Sequence, residues 1–143
     1  MSTSAAREIR MRTAVDSSVL LDVILDDAKF GDRSEAALRA AAAAGALVVC
    51  ECVLAEMRPA FGAGEIDEFL SDWNVTFVPS TKESALLAGE MFAAHLKRSR
   101  GRAGRVLADF LIGAHAAISA DRLLARDRGY YRDYFSRLIL LEP

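Results

Sequence analysis

Two hydrophobic periods alternate along this chain. Short apolar runs at 13–15, 46–50, 75–79, 122–126 and 137–143 have the near-continuous character of strands buried on both faces. The segments between them follow the helical period. In "SSVLLDVIL", Val19, Leu20, Val23 and Ile24 share one face, which leaves Asp22, Asp26 and Asp27 for the polar face or the helix end. "DRSEAALRAAAAAG" predicts an Ala-rich helix capped by Asp32 or Ser34 and stopped at Gly45. "ECVLAEMRPAF" predicts a helix that Pro59 ends or kinks, and "GEIDEFLSDW" predicts another. "STKESALLAGEMFAAHLKRS" opens on a capping box, Ser80 or Thr81 with Glu83 or Ser84. The helix "DFLIGAHAAISA" and a short helical turn at "DRGYYRDYF" complete the series. Strands joined through helices pair in parallel, so the pattern predicts a three-layer α/β/α sandwich around five parallel strands. No linker divides it, and residues 1–143 are expected to form a single domain.

The totals change this picture little. Hydrophobic residues at 52% and charged residues at 27% are ordinary for a globular protein. No apolar run approaches the ~20 residues needed to span a bilayer, and "MSTSAAREIRMR" lacks the apolar core of a signal peptide. Cys50 and Cys52 are too few for a disulfide framework, and "CEC" lacks zinc-site spacing. Buried free thiols in a cytoplasmic protein are the expectation. A net charge of −2 does not advertise nucleic-acid binding, but the charge is uneven: "LKRSRGRAGR" gathers Lys97, Arg98, Arg100, Arg102 and Arg105.

The acidic residues carry the chemistry. Open α/β sheets bind ligands at the carboxyl ends of their strands, and four of the 20 acids fall there. Asp16 follows the first strand, and Glu56 lies about one turn into the helix after the second. Asp109 opens the helix "DFLIGAHAAISA" as N-cap or first residue, and Asp127 follows the fourth strand. Each has a plainer reading taken singly: Asp16 and Asp109 as helix caps, Glu56 as a solvated residue, Asp127 as a turn residue. Together they would repel by about 4 kcal/mol per pair at ~4 Å and an effective dielectric of 20. Such a group needs protons, arginines or cations. Oxygen ligands without His or Cys suit Mg²⁺ or Mn²⁺ and phosphoryl chemistry.

"AVDSSVLLDVI", "VLAEM", "ADFLIGAHA" and "LLARDRGYYRDYF", in this order, resemble the PIN domain, in particular the small ribonuclease toxins of the VapC type. The resemblance runs from about Thr13 to Pro143. It implies a sheet of order 3-2-1-4-5 with an acidic pocket beside the first strand. It further implies a Mg²⁺- or Mn²⁺-dependent endoribonuclease, usually a homodimer, restrained by a cognate antitoxin protein. By motif, Asp16, Glu56, Asp109 and Asp127 would be the catalytic and metal-binding acids, with Asp16 and Asp109 the principal ligands. Two positions depart from the family pattern. Ser18 stands where many members have Asn, as a hydrogen-bonding neighbour of the first acid, and Ala125 stands where many have Thr or Ser.

The Arg/Gly loop ahead of Asp109 is expected at the rim of the acidic pocket, with Arg100, Arg102 and Arg105 on RNA phosphates. The alternative is a solvated loop with no such duty. His95 and His115 sit in apolar helical patterns without a second His at metal spacing, and neither is assigned to catalysis. Tyr130, Tyr131 and Tyr134 are read as core or dimer packing ahead of base stacking. Two alternatives stand beside the nuclease. A haloacid-dehalogenase-type phosphatase needs a second Asp where this chain has Ser18. A catalytically inactive PIN-like module, binding only RNA or protein, would not need all four acids.

Overall fold

Strand β1, Thr13–Val15, lies at the centre of a five-stranded parallel sheet in a computed structural model that describes residues 10–99, 106–126 and 129–143. The other strands are β2 (Leu47–Val49), β3 (Val75–Phe77), β4 (Arg122–Leu124) and β5 (Ile139–Leu141), in the order β3-β2-β1-β4-β5. Thr13 is in register with Leu47 on one side and Arg122 on the other. The expected sandwich and strand order are therefore those observed. Between the strands run α1 (Ser17–Ile24), α2 (Gly31–Ala44), α3 (Glu51–Met57), α4 (Glu65–Asp72), α5 (Lys82–Arg98), α6 (Leu107–Ser119) and α7 (Tyr130–Tyr134). Among the described residues no helix is long and apolar enough to cross a membrane.

The strands are shorter than the apolar runs that foretold them, and the difference matters for the site. Cys50 has already turned to become the N-cap of α3, and Ala125 and Arg126 extend past β4 towards the same sheet edge. One capping expectation needs correction. Neither Asp32 nor Ser34 caps α2, which begins at Gly31 behind Phe30; instead the Asp27 carboxylate accepts from the Lys29 and Phe30 N–H groups and sets the turn before it. Ser34 is buried, and its hydroxyl donates to Asp22 at 2.7 Å. The capping box of α5 is formed by Thr81 and Ser84. Pro59 ends α3 by way of a 3-10 turn at Arg58–Ala60.

Leu20, Leu38, Leu47, Met57, Phe110, Ile112, Leu123 and Leu124 are essentially inaccessible. Burying each contributes roughly 1.5–3 kcal/mol before entropy is counted. Cys50 is buried and Cys52 half-buried, both as free thiols. Helix α7 has five residues, far fewer than a helix needs to persist alone in water. Its position comes from packing: the buried Phe135 ring lies against Gly113 so closely that a Cβ at 113 would sit 2.6 Å from it. That contact fixes the segment that brings Tyr131 to the sheet edge.

Candidate active site

At the carboxyl edge of the sheet, where the chain order reverses on either side of β1, a cleft of about 460 Å³ is lined by Asp16, Glu56 and Asp109. Three different elements supply these three carboxylates, and Glu142, just after β5, adds a fourth to the lining. Asp16 leaves β1 with extended backbone, and its N–H donates to the Leu124 carbonyl at 2.9 Å, so the end of β4 holds it in place. Glu56 sits near the end of α3, exposed, and Oε1 accepts from the Ser17 hydroxyl at 2.8 Å. Asp109 is half-buried on the first turn of α6.

The structure corrects one detail of Asp109. It is neither the N-cap nor the first residue of its helix; α6 starts at Leu107 behind Val106. Leu107 and Ala108 are good helix formers, and they extend the helix two residues upstream of the acid. The first turn still places Asp109 where the helix dipole favours negative charge. Asp127, Arg100, Arg102 and Arg105 lie outside the described residues.

Asp16 is 6% exposed, and both of its oxygens are engaged. Oδ2 accepts from the Ser18 N–H at 3.2 Å, the capping bond of α1, and from the Ser18 hydroxyl. Oδ1 accepts from the Tyr131 hydroxyl at 3.1 Å. Ser18 Oγ also accepts from the Arg126 N–H at 3.3 Å, so this small side chain ties the first acid to the strand end that precedes Asp127. Burial pushes the Tyr131 phenol well above its usual range, and the carboxylates of Asp16, Asp109 and Glu56 add to the rise. Tyr131 therefore stays a protonated donor at neutral pH.

Beside the cleft stands a further acid that the helical pattern assigned to the polar face or the helix end. Asp22 is 4% exposed and accepts from Arg126 through both oxygens, at 2.9 Å each, as well as from Ser34. Neither histidine lines the cleft. His115 is buried, with Nε2 2.7 Å from the Val78 carbonyl, and burial holds its pKa below the ordinary histidine value. The His95 ring packs against Phe110, Tyr130 and Tyr134.

The donors in the cleft fit a hard divalent cation in kind: three carboxylates, with hydroxyls orienting two of them. Among the described residues, no three acidic, imidazole or thiol groups are drawn together closely enough to hold an ion. Tyr131, Asp22 and Arg126 escaped the sequence reading. Only the aromatic spacing of "GYYRDYF" hinted at the first, and nothing in the sequence paired Asp22 with an arginine so distant along the chain.

The family model described as the PIN domain matches residues 13–135. No curated protein matches the sequence significantly. Among solved structures, the chain is similar to one in the crystal structure of VapBC2 from Rickettsia felis bound to a DNA fragment from their promoter. The TM-score is 0.69 at 20% identity, covering 93% of this chain and 99% of that one. At that identity the likeness concerns the fold.

Proposed function

Because the chain belongs to the PIN-domain family, we propose that it is a metal-dependent endoribonuclease of the VapC toxin type. It hydrolyses RNA phosphodiester bonds, works in the cytoplasm as a homodimer, and is held in check by a cognate antitoxin protein. The observation that carries this reading is the arrival of Asp16, Glu56 and Asp109 at one cleft from three separate elements. The similarity to a chain of a VapBC2 structure supports the toxin–antitoxin setting.

Asp16 and Asp109 would hold Mg²⁺ or Mn²⁺, with Glu56 and Asp127 completing the ligand set. A bound divalent cation supplies Lewis acidity, making a water more acidic and offsetting the charge on the phosphodiester. The protein's own part is orientation. Tyr131 and Ser18 each donate to one Asp16 oxygen and so fix the carboxylate plane, while Ser17 fixes Glu56. Burial of Asp16 keeps bulk water from screening it, which strengthens its attraction for a cation.

The test is cleavage of an RNA pool by purified protein in Mg²⁺ or Mn²⁺, with and without EDTA, beside Asp109→Asn. Cleavage that EDTA and the variant both abolish supports the reading. A wild type no more active than Asp109→Asn on any RNA overturns it.

A further inference from the structure

The acidic cleft presents a substrate problem, since RNA brings negative charge to a pocket already lined by four carboxylates, those of Asp16, Glu56, Asp109 and Glu142. The structure holds an answer at the cleft mouth. Phe30 lines the cleft together with Arg33 and Arg126. Around its single ring stand three cations: Arg126 with its guanidinium carbon 4.2 Å from the centroid, Lys29 with Nζ at 5.1 Å, and Arg33 at 5.4 Å.

We infer that Lys29, Arg33 and Arg126, gathered on Phe30, form a phosphate-binding lip that holds the RNA backbone beside the carboxylates. The inference rests on the nuclease reading and names the part of that site that receives the substrate. Three like charges on one ring repel, and the aromatic face offsets that only in part. Asp22 neutralises Arg126. Among the described residues no side-chain carboxylate forms an ion pair with Lys29 or Arg33; the Arg33 guanidinium donates to the Pro143 backbone oxygen at 3.2 Å. Lys29 and Arg33 are exposed, so two charges face solvent at the edge of the cleft. A polyanion laid across this edge relieves their repulsion and brings its next phosphate over Asp16 and Asp109.

The lip is built, not incidental. Asp27 fixes the turn that carries Lys29 and Phe30, accepting their N–H groups at 3.0 and 2.7 Å. The bidentate bond to buried Asp22 locks Arg126 as the floor on which Phe30 lies. A flat surface arginine has neither support. An acidic protein segment offers the same charge, but it lacks the phosphodiester that the neighbouring carboxylates would act on, so RNA is the occupant argued for.

The experiment measures binding of a short single-stranded RNA to the full chain carrying Asp109→Asn, in Mg²⁺, across a series of salt concentrations. Adding Lys29→Ala and Arg33→Ala should weaken binding by roughly tenfold at ~0.1 M salt and reduce the salt slope by about 1.4, the value for two single-strand phosphate contacts. Arg39→Ala with Arg137→Ala removes the same charge away from the cleft and should change neither greatly. Mn²⁺ affinity of the otherwise wild-type chain should be unaffected by the lip variants. An unchanged affinity and slope overturn the lip and leave the nuclease intact, as does an equal loss in the control pair. A parent chain that neither binds nor cleaves RNA overturns both.

Discussion

Asp16 and Asp22 lie within two turns of each other on the same stretch of chain, and both are almost wholly buried. Their surroundings differ in one respect. Asp22 receives a guanidinium on both oxygens and a hydroxyl besides, so its charge is matched. Asp16 receives an N–H and two hydroxyls, Ser18 and Tyr131, and among the described residues no cation pairs with it. A buried carboxylate without its cation is costly to maintain. Asp22 is a structural charge completed by the fold, whereas Asp16 is left by the described residues with neutral donors alone.

Substituting each acid separates the two cases. Asp16→Asn should lower RNA cleavage by roughly 10³-fold, the few kcal/mol that a correctly held metal ion provides, while the fold stays intact. Single-turnover cleavage alongside thermal melts checks both halves. Asp22→Ala should do the opposite, destabilising the protein by about 2–3 kcal/mol in denaturant titration, because Arg126 and Ser34 lose their shared acceptor. The figure is held below that of a fully buried pair because the Arg126 side chain is 37% exposed. Equal effects of the two substitutions on stability would erase the distinction.

Tyr131→Phe sharpens the comparison by removing one hydroxyl from Asp16 while keeping the ring. Mn²⁺ affinity should fall roughly tenfold, measured by the paramagnetic signal of free Mn²⁺, with little change in melting temperature. His115 extends the comparison to a buried group able to shed its charge. Its folded pKa lies below the ordinary 6.5 chiefly because burial disfavours the imidazolium. As pH falls below about 6.5, the unfolded chain takes up a proton that the folded chain resists, so stability declines from there until His115 protonates in the fold as well. Above that range the group contributes no pH dependence. His115→Gln should flatten this arm of the stability profile by a fraction of its height, the smallest of these effects.

The contrast between the two aspartates also marks how far the sequence could be read. Periodicity located five parallel strands and placed Asp16, Glu56 and Asp109 at the right sheet edge, because hydrophobic pattern and chain direction are local properties. It misplaced Asp109 by two positions, since helix starts depend on what flanks them, and Leu107–Ala108 are helical. It sent Asp22 to solvent, since a helical wheel cannot know that Arg126 arrives from beyond β4 to cover that face. Tyr131 was legible as an aromatic in a packed segment but not as a donor to Asp16. Lys29, Arg33 and Arg126 could not be grouped without the turn and strand end that carry them to Phe30.

The contact of Phe135 with Gly113 reaches beyond its own packing. A five-residue helix has little stability of its own, so the bond from Tyr131 to Asp16 depends on the docking of Phe135 on α6. Without that docking the chain would hold its acids without the hydroxyl that aligns the first of them. The alignment of Asp16 thus depends on an aromatic contact made far along the chain from it.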